Sequence, residues 1–212
     1  MNYDLILFDL DGTLTDPIQG IGRSINHALQ QYGYPLQAEA EISRWIGPPL
    51  DISFRAITGS QSDAHIAELV MCYRERYGDV GYAENALYPE IPAALQALTD
   101  AGVPMGVCTS KRADFAERIL KLFQLDQHFG FVSGGEIGVH KWQQIEALKA
   151  AGVASNASLM IGDRAVDITA AKRNGLHSAG VLWGHGGRAE LEAESPDWLF
   201  ASPTELSQLL PR

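Results

Sequence analysis

Cysteines, basic side chains and long apolar segments are all scarce in this chain of 212 residues. The two cysteines, Cys72 and Cys108, cannot build a disulfide framework, and both lie in apolar stretches where we expect reduced core thiols. No apolar run reaches the roughly 20 residues needed to span a membrane. The short apolar run near the N-terminus lacks the basic leader of a signal peptide. We therefore expect a cytoplasmic protein that does not bind a membrane.

The chain has 16 basic and 26 acidic residues, which gives a formal net charge of −10. A general nucleic-acid-binding surface should be basic, so we expect no nucleic-acid polymer as a partner. The negative balance does not exclude a small anionic substrate, because one divalent cation and one lysine can make a pocket locally positive. The sequence leaves a monomer and a homodimer equally open.

Short apolar strands alternate with amphipathic helical segments, which is the pattern of a parallel sheet with crossover helices. We predict strands at residues 3–9, 104–109, 130–133, 158–162 and 178–183, with a short edge strand at 198–200. Helices are predicted at residues 91–100, 113–123, 142–150 and 167–174, the last one closed by Gly175. The predicted fold class is therefore α/β with a parallel sheet.

Residues 17–85 interrupt this alternation with helical patterning and no convincing strand. Two apolar helix faces stand out, one made of Ile21, Ile25, Ala28 and Leu29, the other of Ile66, Leu69, Val70 and Tyr73. We predict that residues 16–88 form a small helical cap with its linkers, inserted into a core made of residues 1–15 and 89–212. The alternative is a separate helical bundle. A lid is favoured because both ends of the insert return to the sheet edge beside Asp9.

The first predicted strand runs directly into two carboxylates, in the segment Asp-Leu-Asp-Gly-Thr-Leu-Thr at residues 9–15. Acids beside a core are costly unless they hold a metal or take part in chemistry. Ligands in an open α/β sheet bind at the carboxyl ends of its strands. The feature therefore indicates a metal-assisted active site, although Asp9 and Asp11 alone could also form a turn and a helix cap.

Three further segments place functional side chains after strands or at helix starts. Thr109 and Ser110 end the second predicted strand, Lys141 opens a helix, and Asp163 ends a strand four residues before Asp167. Each feature also has an ordinary structural explanation: a strand exit, a solvated lysine and an acidic helix N-terminus. Several oxygen ligands at one strand-end face suit Mg²⁺, and no cysteine and histidine cluster indicates zinc.

These four segments, in this order, resemble the motifs of the haloacid dehalogenase superfamily of phosphatases. The resemblance covers essentially the whole chain and implies a Rossmann-like three-layer core with a helical cap. Residues 11–17, 46–50 and 180–184 are similar to the branch of phosphoglycolate phosphatases and 5′-nucleotidases. Gly47 and Pro48 in the cap favour the nucleotidases. One departure is Trp142, where many members carry a proline after the lysine.

The resemblance implies a Mg²⁺-dependent phosphomonoester hydrolase acting on a small phosphorylated metabolite. Asp9 would be the nucleophile that forms an aspartyl-phosphate, and Asp11 the general acid and base. Thr109 and Lys141 would bind the transferred phosphoryl group. The implied Mg²⁺ ligands are Asp9, the Asp11 carbonyl, Asp163 and Asp167. Further substrate-binding candidates are Leu10, Gly12 and Ser110, together with Arg44, Gly47 and Pro48 in the cap.

Three competing interpretations remain. A phosphoglucomutase-like phosphoryl transfer would use the same core motifs. A halide-displacing dehalogenase would have no use for Asp11 or for a metal. A protein of a different class, a signalling receiver or another non-catalytic phospho-acceptor or binding protein, would leave the full set of catalytic residue types or the helical insert unexplained.

Overall fold

The computed structural model describes residues 3–136 and 138–211. The chain divides into two compact units: the first runs to Asp16 and resumes at Leu87, and the second spans Pro17–Ala86. The predicted cap, residues 16–88, covers this second unit, and its action as a lid stays a prediction. Residues 1, 2, 137 and 212 of the predicted core lie outside the described residues.

The first unit is built on a six-stranded parallel sheet. Its strands are β1 (Ile6–Phe8), β4 (Met105–Cys108), β5 (Val132–Ser133), β6 (Leu159–Gly162), β7 (His177–Val181) and β8 (Trp198–Phe200). They lie side by side in the order β5-β4-β1-β6-β7-β8. The central strands are apolar and fully buried because helices flank the sheet. The prediction of an α/β fold with a parallel sheet is confirmed.

The helices that accompany these strands are α5 (Ile91–Asp100), α6 (Ala113–Leu122), α7 (Lys141–Ala150), α8 (Ala165–Arg173) and α9 (Arg188–Ala193). Along β1, alternate residues point to opposite faces of the sheet. Leu7 joins a core cluster with Cys108 and Met160 that also contains Ile145 of α7 and Ala171 of α8. This cluster fixes α7 and α8 against the strands whose ends carry the predicted site.

The second unit is helical, as the patterning predicts. It contains α1 (Ile18–Gln31), α2 (Glu39–Ile42), α3 (Leu50–Thr58) and α4 (Asp63–Asp79). The predicted apolar face of α1 is buried, and α4 buries Ile66, Leu69 and Tyr73. A half-buried network of hydrogen bonds and an ion pair supports this packing, since Arg76 donates to both Glu84 and Ser24.

The structure differs from the sequence prediction mainly at element boundaries. The first predicted strand, residues 3–9, has ladder pairing only over Ile6–Phe8. A two-stranded sheet of β2 (Thr15–Asp16) and β3 (Ala86–Leu87) was not predicted, because two residues are too few to show a period. Short 3₁₀ helices occur as well, at Ser43–Trp45, Gly81–Ala83, Asp126–His128 and Pro203–Leu209. None of the helices in the described parts of the chain is long and apolar enough to cross a membrane.

Candidate active site

The sheet register brings three of the predicted motifs to one edge. Phe8 of β1 is level with Ile161 of β6 and with Val107 of β4, and the backbone N–H of Asp9 donates to the Ile161 carbonyl at 2.9 Å. The residues that follow these strands are Asp9, Asp163 and Thr109, so their side chains start from one strand-end face. All three are buried.

Lys141 lies between two carboxylates of this edge. Its Nζ is 3.0 Å from Asp9 Oδ2 and also donates to Asp167 Oδ1. The Lys141 side chain is 1% exposed and that of Asp167 is fully buried. Burial opposes the charged ammonium, but Asp167 and Asp9 outweigh that cost, and the pKa of Lys141 rises above its usual range. Lys141 therefore places a positive charge beside the predicted nucleophile at neutral pH.

Asp9, Asp163 and Asp167 each offer a carboxylate oxygen, and these oxygens lie within 4.8 Å of one another. Burial and the neighbouring carboxylates raise the pKa of Asp163, and burial raises that of Asp167 against the opposing charge of Lys141. Asp163 Oδ1 is buried and accepts no hydrogen bond from any described residue. Close-set, oxygen-only ligands with an unused buried oxygen fit a hard divalent cation such as Mg²⁺.

The turn after β1 approaches these carboxylates closely. Gly12 has a φ of 82°, and a Cβ at this position would lie 2.1 Å from Asp163 Oδ2. Any other residue would therefore meet both a strained backbone and the carboxylate. The Gly12 N–H donates to the Thr15 carbonyl at 2.8 Å, which closes the turn. The glycine that follows Asp11 is thus required by the packing of the site.

Asp11 makes an ion pair with Lys111, whose Nζ lies 2.7 Å from Asp11 Oδ2. Burial raises the pKa of the Asp11 carboxyl, while the Lys111 charge works in the opposite direction. Asp11 Oδ1 accepts no hydrogen bond from the described part of the chain. Asp11 is thus a carboxyl with one paired oxygen and one oxygen left for a ligand.

Three further predicted residues lie next to these groups in the chain. The Leu10 N–H donates to Asp9 Oδ1 at 2.8 Å and orients that carboxylate. Thr109 Oγ1 accepts the Lys111 N–H at 3.3 Å, and Gln144 Nε2 donates to the Thr109 carbonyl at 3.1 Å. Ser110, the next residue, is exposed.

Arg44, Gly47 and Pro48 belong to the second unit. Arg44 is 70% exposed on its side chain and pairs with Glu41 at 2.7 Å. Gly47 has a φ of 102°, which a side chain would strain. A role of these three residues in substrate binding stays a prediction.

Three residues that contribute to the site are not among those predicted from the sequence. The first is Lys111, which directly follows Thr109 and Ser110 and pairs with Asp11. The second is His185, whose N–H donates to Asp163 Oδ2 at 2.8 Å and whose Nε2 lies 3.1 Å from Asp16 Oδ1. Glu190 Oε1 accepts from the Ala165 N–H at 2.9 Å and so caps α8, the helix of Asp167. The glycine-rich run around His185 was the available signal.

Cys108, at the end of β4, is not a competing nucleophile. Burial, with a contribution from Asp9 and Asp167, raises the pKa of its thiol to about 12. A thiol in this state carries almost no thiolate at neutral pH. The reactive groups of this edge are its carboxylates and lysines.

Comparison with known proteins agrees with this arrangement. A 5′-nucleotidase of Pseudomonas aeruginosa is 40% identical over 99% of this chain and 96% of its own length. A phosphoglycolate phosphatase of Aliivibrio fischeri is 32% identical over 91% of this chain and 90% of its own length. The tyrosine-protein kinase PtkA of Mycobacterium tuberculosis is 35% identical over 86% of this chain, which spans only 63% of the kinase.

The fold comparison agrees as well. A solved structure of a haloacid dehalogenase-like family hydrolase from Streptococcus pneumoniae superposes with a TM-score of 0.90 at 29% identity, covering 99% of both chains. The sequence model of the haloacid dehalogenase-like hydrolase family matches residues 6–181, a segment that begins with β1 and ends with β7. The resemblance carried by the strand-end motifs is confirmed, and the chain belongs to the haloacid dehalogenase-like hydrolase family.

Proposed function

We propose that this enzyme is a Mg²⁺-dependent phosphomonoester hydrolase that works through an aspartyl-phosphate on Asp9. The observation that carries the proposal is the buried Lys141, held between Asp9 and Asp167 beside Asp163. An ammonium and a cation-binding carboxylate set around one nucleophile suit a reaction whose transition state spreads negative charge over phosphoryl oxygens.

In the proposed reaction, an Asp9 oxygen attacks phosphorus in line with the ester oxygen. The bond between phosphorus and the ester oxygen breaks, and Asp11 donates a proton to the leaving alcohol. Asp11 then takes a proton from water, the water oxygen attacks phosphorus, and the bond to Asp9 breaks to release phosphate. Burial, which raises the pKa of Asp11, favours its starting as the acid.

The phosphoryl oxygens would be bound by Lys141 and by the hydroxyl of Thr109, with Leu10, Gly12 and Ser110 supplying backbone or hydroxyl contacts around them. Asp9, Asp163, Asp167 and the Asp11 carbonyl would hold Mg²⁺, which when bound neutralises charge on the phosphoryl oxygens. Lys141 and the Leu10 N–H, which contact different oxygens of the Asp9 carboxylate, orient it for this attack.

The substrate is proposed to be a small phosphorylated metabolite, of the nucleoside 5′-monophosphate or 2-phosphoglycolate kind. The names of the relatives support these two classes. Arg44, Gly47 and Pro48 are the candidates for selecting between them, because a guanidinium can pair with a second anionic group on the substrate.

The first experiment measures phosphate release from 2-phosphoglycolate, nucleoside 5′-monophosphates, sugar phosphates and a chromogenic ester, each with Mg²⁺ and with EDTA. We expect Mg²⁺-dependent release concentrated on one class. Asp9→Asn should remove turnover and keep the fold, since it loses the nucleophile at nearly constant volume. Release by a folded Asp9→Asn variant at the wild-type rate would refute the mechanism.

Two other outcomes separate the alternatives. Isomerisation of a sugar phosphate without net phosphate release would indicate a mutase. Because one relative is named a tyrosine kinase, the protein is also incubated with ATP and its tyrosines are tested for phosphorylation. Phosphotyrosine in place of phosphate release would replace the hydrolase proposal.

A further inference from the structure

The start of α7 determines where the Lys141 ammonium lies, because Lys141 is the first residue of that helix. In family members with a proline directly after the lysine, the ring fixes φ near −65° and preorganises the first turn. This chain has Trp142 at that position. The first turn of α7 therefore needs another restraint to keep a buried charge in register with Asp9 and Asp167.

The C-terminal end of α8 holds Trp142 through two neighbouring residues. The guanidinium carbon of Arg173 lies 3.3 Å from the centre of the Trp142 ring, a cation–π contact. Asn174 Nδ2 donates to the Trp142 carbonyl at 2.8 Å and to the Ala170 carbonyl at 3.0 Å. Trp142 also packs against the core cluster that contains Ile145. Both the ring and the backbone of Trp142 are thus bound.

A second restraint acts one residue before the lysine. His140 is the N-cap of α7. Its carbonyl accepts the Gln143 N–H and its own N–H donates to Gln143 Oε1, both at 2.9 Å. These reciprocal hydrogen bonds fix the first turn along the helix axis. They do not by themselves connect α7 to α8. The contacts of Trp142 with Arg173 and Asn174 make that connection.

We propose that Trp142, Arg173 and Asn174 form a clamp that positions Lys141, in place of the proline. The helix α8 carries Asp167 near its start and Arg173 at its end, about 9 Å apart along a straight helix. One rigid element thus holds both the carboxylate that Lys141 contacts and the side chain that fixes its neighbour. The inference rests on the proposed role of Lys141 in phosphoryl transfer. Trp142 is a positioning residue, since it acts through Lys141.

The test compares kcat, KM and thermal stability for four single variants and one double variant. Trp142→Ala should lower kcat and kcat/KM together by about 10-fold or more, because a misplaced charge loses transition-state stabilisation. Arg173→Gln, on the exposed side of the contact, should lower both in the same way without unfolding the protein. Trp142→Pro should keep kcat within about 3-fold of the wild type, because it restores the preorganised turn. Leu148→Ala is the matched control, since Leu148 packs against the same cluster from the same helix.

The clamp predicts loss of kcat in Trp142→Ala, recovery in Trp142→Pro, and no further effect of Arg173→Gln when it is added to Trp142→Pro. A purely structural role predicts that Trp142→Ala and Leu148→Ala lower Tm alike and keep the wild-type kcat, and that result would overturn the inference. So would a folded Trp142→Pro variant as slow as Trp142→Ala.

A second readout does not depend on turnover. Urea unfolding is measured for Lys141→Met, for Arg173→Gln and for the double variant. The clamp predicts that Lys141→Met destabilises less in the Arg173→Gln background, since the lysine is then already displaced. Additive effects would overturn the clamp. An inactive wild type with non-additive effects would instead refute the hydrolase proposal and retain the clamp.

Discussion

Single residues at the strand-end face are arranged around charge. Within the part of the chain that the structure describes, the ammonium groups of Lys141 and Lys111 pair with the carboxylates there. Lys141 pairs with Asp9 and Asp167, and Lys111 pairs with Asp11. Replacing either lysine would leave an uncompensated buried charge, which costs more than a lost surface ion pair.

The variant Lys141→Met tests how much the Lys141 charge stabilises the fold. The change keeps the chain's volume and removes the charge, so Asp9 and Asp167 repel each other without a partner. We expect the free energy of unfolding in EDTA near pH 8 to fall by about 3–5 kcal/mol, the range for breaking a buried ion pair. Urea denaturation measures it, with Lys121→Met, an exposed lysine of α6, as the control. Equal denaturation midpoints for Lys141→Met and the wild type would contradict the charge argument.

At the scale of elements, the site depends on how closely the loop after β7 approaches the end of β6. The His185 N–H binds Asp163, and the Trp183 indole N–H donates to the Thr13 carbonyl at 2.9 Å. A Cβ on Gly184 would lie 2.2 Å from the Gly12 carbonyl oxygen and 2.4 Å from Asp163 Cβ. The loop therefore joins the turn after β1 to the end of β6, and a glycine makes the contact possible.

Gly184→Ala tests this contact. The methyl group must displace either the turn at Gly12 or Asp163, so we expect a loss of about 1–3 kcal/mol in stability, typical of overpacking. We also expect weaker Mg²⁺ binding, measured as a smaller rise of Tm on adding the metal. Gly187→Ala is the matched control, because a Cβ at Gly187 meets nothing within 4 Å. An equal response to Mg²⁺ in both variants would show that the loop does not shape the metal site.

For the whole molecule, the acidic site connects stability to pH. Burial and mutual repulsion raise the pKa of Asp163, to about 7 from 3.8, and that of Asp167 in the same direction. Between these values the folded chain binds more protons than the unfolded chain, so the free energy of unfolding falls as pH rises. This contribution is complete below the ordinary carboxyl pKa and is lost as pH passes the raised one.

The corresponding measurement is Tm in EDTA and in Mg²⁺ across the range from about pH 4.5 to about pH 8. We expect Tm in EDTA to fall towards neutral pH, and Mg²⁺ to offset the fall, because the metal binds only the deprotonated carboxylates. Asp163→Asn is the control, since it removes one of the titrating groups and should flatten the dependence in EDTA. A Tm in EDTA that rises from pH 5 to pH 7 to the same extent in both proteins would contradict the sign of this linkage.

The amino-acid sequence by itself was enough for the parallel α/β core, the helical insert and the carboxylates after β1 and β6. These features are local: apolar runs end at turn residues, and helix faces repeat every three or four residues. The helix bounds at Ile91–Asp100 and the strand at Trp198–Phe200 match the prediction to the residue. The strands β2 and β3 were not predicted, because two residues are too few to show an alternating pattern.

The tertiary structure alone decided which distant side chains meet. Lys141 could have been a solvated lysine, and only the packing of α7 against α8 places its ammonium between Asp9 and Asp167. Nothing local marks Lys111 as the partner of Asp11, or His185 as a donor to Asp163. These contacts depend on strand order and on helices docking across the sheet. The sequence therefore determined the chemistry available at the strand ends, and the tertiary structure determined how those groups combine, because their charges interact strongly only at distances that packing sets.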